Sequence, residues 1–152
     1  MSDSAAPVRN LRCLTMVHRF SRPPAEVWRA WTDPNVARLW FGSDPDGEVL
    51  DAKMDARVGG SFEVRFANSN KTEHTCMGRY LEVEPHEKLA FTWTWKDRPN
   101  VEERVEIVFE PDKAGTLMSF EHADIDSATL HDYAPGWKRT FEKLERALTH
   151  FA

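Results

Sequence analysis

The sequence predicts an α+β domain in which a curved, seven-stranded antiparallel sheet wraps a long C-terminal helix, with two short helices after the first strand. Three observations predict it. Seven stretches read as strands with one apolar and one polar face, the pattern of an antiparallel sheet solvated on one side. The connections between them are short, so neighbours in sequence are expected to pair. The chain then ends on Trp137, Phe141, Leu144 and Leu148, spaced by four, three and four, which is a sustained helical stripe. At 152 residues, 41% hydrophobic and 30% charged, the chain suits one globular domain, assigned to residues 11–152.

The elements follow in order. Residues 1–10, MSDSAAPVRN, lack the apolar core of a signal peptide and are expected to form a disordered lead. Leu11 to Phe20 alternates, with Leu14, Met16, His18 and Phe20 on one face. A helix then starts in Ser21-Arg22-Pro23-Pro24-Ala25-Glu26. Proline suits a first turn, where its missing amide would lack a partner anyway, and Glu26 suits the positive end. Val27, Ala30 and Trp31 recur at helical spacing until Pro34 disfavours helical geometry at Asp33. Asp33 can then cap a second short helix that carries Val36, Leu39 and Trp40.

Gly42 to Gly47 reads as a loop, Glu48 to Met54 as a weak strand, and Gly59-Gly60 as a turn or bulge. Over 61–66, Phe62, Val64 and Phe66 share a face. Over 73–83, Met77, Leu81 and Val83 do so, which puts Arg79 in phase with them. Over 89–95, Leu89, Phe91, Trp93 and Trp95 oppose Ala90, Thr92 and Thr94. Over 101–109, Val105, Ile107 and Phe109 are in phase with Glu103. Pro111 to Gly115 is a turn, and the strand over 116–122 places Met118, Phe120 and His122 together. The final helix is expected to begin near Pro135, because a first turn tolerates proline.

Several function classes are disfavoured. A net charge of −5 with dispersed basic residues argues against a nucleic-acid partner. No apolar run approaches the ~18 residues of a membrane span. Cys13 and Cys76 read as reduced thiols filling strand positions, which points to the cytoplasm. The six histidines are scattered and form no metal-binding motif, so no metal is expected. No nucleophile elbow, phosphate loop or dinucleotide fingerprint occurs, so no cofactor is expected and no catalytic residue is assigned.

The inward faces supply the candidate site. Trp31, Trp40, Phe62, Phe66, Trp93, Met118, Trp137 and Phe141 are its apolar members. Burying one tryptophan ring is worth roughly 4–6 kcal/mol at most, so core stability alone accounts for such rings as well as a ligand would. The polar members are Arg79, Glu103 and His122, with His18 in a similar phase. Burial without a partner costs such groups roughly 1–3 kcal/mol. Glu103 therefore either pairs with Arg79 or His122, or joins them in anchoring a polar group of a guest; buried beside rings, it would also suit proton transfer.

Trp28-Arg29-Ala30-Trp31-Thr32-Asp33-Pro34 with Trp40, Gly59-Gly60-Ser61-Phe62, Gly78 to Pro85 leading into Leu89-Ala90-Phe91-Thr92-Trp93, Gly115-Thr116 with His122, and Gly136-Trp137 before Phe141 and Leu144 occur in that order. In these segments the chain resembles the SRPBCC or START-like superfamily. Within it, the chain is similar to single-domain bacterial members of the group named after activators of the heat-shock-protein-90 chaperone ATPase. The resemblance implies the helix-grip fold of the birch-pollen allergen, with a cavity between sheet and helix. It implies non-covalent binding of a small apolar or amphipathic molecule by a monomer or homodimer. Behind that reading stand two alternatives: a module that binds a chaperone protein in a stress response, and then a cyclase or dehydratase drawing acid–base help from Glu103 or His122. Where such proteins often carry an arginine near the end of the first strand, this chain has His18.

Overall fold

The computed structural model of the chain describes residues 11–149, so the expected lead over residues 1–10 lies outside the described residues. The alternating stretches become β1 (Leu11–Phe20), β2 (Glu48–Met54), β3 (Ser61–Ala67), β4 (Glu73–Glu84), β5 (Lys88–Trp95), β6 (Glu103–Asp112) and β7 (Gly115–Asp126). They form one curved antiparallel sheet in the order β1-β7-β6-β5-β4-β3-β2. Two short helices, α1 (Pro24–Thr32) and α2 (Pro34–Ala37), follow β1, and a long helix, α3 (Leu130–Thr149), is the last described element. This is the helix-grip arrangement expected from the sequence.

The order has a consequence for the interior. β1 and β2 occupy opposite edges, so the segment joining them must cross the full width of the sheet. That crossing segment is α1, α2 and the loop after them. It carries Trp31, Trp40 and Phe41 into the core, together with Phe20, Phe120, Phe141, Leu144 and Leu148. Asp33 caps α2 by accepting from the Asn35 backbone N–H at 2.9 Å. The indole N–H of Trp40 donates to the Ala30 carbonyl at 2.9 Å and ties the segment after α2 back onto α1.

Four local expectations change. α2 ends at Ala37, so Leu39 and Trp40 lie beyond it, Leu39 exposed and Trp40 buried. In β4 the inward residues are Cys76 and Tyr80, whereas Leu81 is 39% exposed and Arg79 faces solvent. The register slips between Tyr80 and Glu82, and Val83 after the slip packs on the core. A single residue of bulge reverses which side chains face inward; reading the phase back from Val83 therefore misplaced everything before the bulge. β6 continues through Pro111 to Asp112, which pairs with Gly115. Finally, α3 begins at Leu130, so Pro135 lies inside it. The missing amide there leaves out the bond that would have closed on the His131 carbonyl.

Candidate functional site

α3 meets the sheet along a line of rings, and near its first turns the two separate. Between them lies a cleft of about 380 Å³. Phe41, Phe66, Trp93, Trp95, Tyr133 and Trp137 give it an aromatic lining. Ser43, Asn68, His74, Asp97, Arg98 and Asp132 add polar groups. The β3–β4 hairpin supplies Asn68 and His74, which bond to each other at 3.2 Å. The turn after β5 supplies Asp97 and Arg98.

The loop after α2 supplies the facing wall, and it is tied at two points. The Asp44 carboxylate accepts from the backbone N–H and the hydroxyl of Ser69, both at 2.9 Å. These bonds, the backbone one foremost, hold its carboxyl below the usual carboxylate range. The Asp44 carbonyl accepts from Lys143 Nζ on α3 at 2.9 Å. Burial pushes the Lys143 ammonium below its ordinary value, with the Asp44 charge opposing.

Behind the aromatic wall runs a chain of hydrogen bonds. Trp95 Nε1 donates to the Tyr133 hydroxyl at 2.8 Å. Tyr133 donates in turn to Glu103 Oε1 at 2.8 Å. His122 Nε2 lies 2.8 Å from the same oxygen, and Trp137 Nε1 donates to His122 Nδ1 at 3.0 Å. The last bond assigns the tautomer: Nδ1 accepts, so Nε2 carries the proton and donates to Glu103. Glu103 is 5% exposed and His122 fully buried. Burial first, and then the Glu103 charge, push the Tyr133 phenol above its ordinary value against the opposing Trp95 bond, so the hydroxyl keeps its proton. Both nitrogens of His122 are thus occupied. The chain is a strut that fixes Trp95, Tyr133 and Trp137 in the cleft wall.

The residues singled out from sequence divide into three sets. Phe66, Trp93 and Trp137 line the cleft. Glu103 and His122 form the buried pair behind it, one of the two pairings anticipated. Trp31, Trp40, Phe62, Met118 and Phe141 are buried in the core and absent from the cleft lining. Arg79 belongs to none of these: its guanidinium meets Glu102 at 3.4 Å on the surface. This corrects the inward placement, for the reason given by the β4 bulge. His18 is half-buried against Phe20 and Phe141, with ring centroids 4.5 and 5.8 Å away.

Sequence reasoning missed Phe41, Trp95 and Tyr133 as lining residues. Tyr133 had a usable signal: it precedes Trp137 by four and extends the stripe of α3 by one turn. The expected start at Pro135 hid it. Among the described residues no group of three or more His, Cys, Asp or Glu side chains is placed to hold a metal ion. No described helix is long and apolar enough to cross a membrane.

Comparison with known proteins gives a consistent picture. Residues 21–149 match the family model described as activator of Hsp90 ATPase homolog 1-like protein. No curated protein matches the sequence significantly. Among solved structures, protein CV1439 from Chromobacterium violaceum is 26% identical, with a TM-score of 0.77 over 90% of this chain and 96% of that one. Protein NE0264 from Nitrosomonas europaea is 25% identical, with a TM-score of 0.79 over 91% of this chain and 94% of that one. CalU16 from Micromonospora echinospora is 28% identical, with a TM-score of 0.69 over 91% of this chain and 77% of that one.

Proposed function

The chain belongs to the activator of Hsp90 ATPase homolog 1-like family, and from that premise we propose that it binds a small amphipathic molecule, non-covalently, in the cleft between α3 and the sheet. The carrying observation is the cleft itself. Its volume of about 380 Å³ falls within the few-hundred-Å³ range of small-molecule sites, and its make-up of ring faces with a few polar groups matches them too. The guest's flat apolar part would rest on the rings of Trp93, Trp95 and Trp137. Its polar part would meet Ser43, Asn68, His74 or Arg98.

The two alternatives have less support. Acid–base chemistry would need Glu103 or His122 to reach a guest, and both are turned toward each other behind Tyr133. A protein-binding module calls for a broad exposed apolar surface. Among the described residues the large exposed hydrophobics are Leu11, Val17, Leu39, Val58 and Leu81, spread over four segments of the chain.

The test is a fluorescence titration with N-phenyl-1-naphthylamine, a neutral, ring-bearing probe. Saturable enhancement is expected with the natural sequence and loss of it with Ser43→Trp, which plugs the cleft from the loop side. Failure of the natural protein to take up the probe, together with no small molecule retained in native mass spectrometry, would overturn the reading.

A further inference from the structure

Gly136 is the seventh residue of a helix of twenty, where glycine is less favourable than alanine. The other six glycines are each required by a positive φ or by an atom within 3 Å of where a Cβ would stand. Gly136 is required by neither. A Cβ there would meet only Ser43 Cβ, at 3.8 Å, an ordinary van der Waals distance. Alanine would therefore fit and strengthen the helix. What the glycine secures is not packing.

Its position suggests what it does secure. Gly136 and Ser43 both line the cleft, one from α3 and one from the loop. A methyl group on residue 136 would bring the two walls into contact. Neither wall is free to retreat. The loop is held through Asp44 to Ser69 and to Lys143. The start of α3 is held through Tyr133 to Glu103 and through Trp137 to His122. The added volume must come out of the opening. We infer that Gly136 is a specificity-determining residue: the missing side chain keeps a neck open between α3 and the loop and sets the thickness of guest that passes it. The inference rests on the guest-binding reading above.

Gly136→Ala separates this role from a structural one, because it moves stability and binding in opposite directions. The melting temperature should rise by about 2–4 °C. Affinity for N-phenyl-1-naphthylamine should fall about tenfold, the usual effect of one misplaced methyl group in an apolar pocket, while indole, a thinner and smaller probe, should bind both proteins alike. Ser43→Gly removes the atom that the new methyl meets, so the double variant should recover the larger probe. Equal affinity of the natural protein and Gly136→Ala for the larger probe would overturn the inference and leave the guest-binding reading standing. So would a lowered melting temperature, since the glycine would then be structurally required. No uptake of either probe by the natural protein would overturn the inference, and with no small molecule retained in native mass spectrometry it would overturn the guest-binding reading as well.

Discussion

The interior has two tryptophan-rich ends that look alike in sequence and differ in the fold. At the end closed by α1 and α2, Trp31 packs within 4.7 Å of Trp40 and within 6.4 Å of Phe91, Phe120, Trp137 and Phe141, centroid to centroid. Its indole N–H has no hydrogen-bond partner. At the end closed by the loop and the first turns of α3, Trp95 and Trp137 each donate to an acceptor and border the cleft, each packed on one side against Trp93 at 5.4 and 5.3 Å. Trp93 touches both regions: it lines the cleft, yet its N–H is buried without a partner like that of Trp31. Where rings fill all space, packing outweighs one orphaned donor. Where a space stays open, a ring lacks contacts on the cleft side, and for Trp95 and Trp137 a hydrogen bond adds to the packing behind them.

The contrast can be broken most forcefully at the filled end. Trp31→Ala should cost about 3–5 kcal/mol in chemical denaturation, because the surrounding rings cannot collapse into the void. Probe uptake by the folded fraction should persist. A loss below about 1 kcal/mol would mean that this end is not tightly packed. At the open end, Glu103→Leu removes the acceptor shared by His122 and Tyr133 and should cost about 2–4 kcal/mol. Glu103→Gln, which keeps one acceptor oxygen, should cost less. The two ends are distinguished if Glu103→Leu also changes probe affinity while Trp31→Ala does not.

The smallest effect lies at His18. Burial pushes its pKa below the ordinary 6.5, with Glu145 and Glu142 on α3 opposing. The folded state therefore holds fewer protons than the unfolded chain. The stability associated with His18 should be fully present above pH 6.5 and decline as the pH falls below it, levelling off under the lowered folded value. Replacing His18 with Gln should flatten that part of a stability–pH profile; an unchanged slope would assign it to another group.

Much of the fold was legible because it depends on periodicity. β1 and α1 appear where alternation and the Pro34 break put them, and the capping role of Asp33 follows from its chemistry alone. The misreadings have two causes: in β4 the phase changes at a bulge, and elsewhere a local start or stop signal misplaces the end of an element. Proline at residue 135 suits a helix start, but the hydrogen bonds of Tyr133 and Trp137 hold the helix in place on both sides of it. The site was only partly legible. The pairing of Glu103 with His122 could be anticipated, since both are polar residues on inward faces of strands that prove to be neighbours. Which rings line the cleft and which fill the core depends on where the crossing segment comes to rest. That is a tertiary fact, and Trp31 and Trp93 carry no local mark that distinguishes them.

The strand order bears on when the domain can assemble. Among the described elements β1 pairs with β7 alone, Leu11 lying opposite Asp126. Synthesis from the N-terminus therefore leaves the first ribbon without a mate until β7 has emerged, while β2 to β7 can zip up as successive hairpins. For that interval the nascent chain carries an open, sticky edge, and its safety rests on the two arginines, the threonine and the histidine interspersed among the apolar residues of β1.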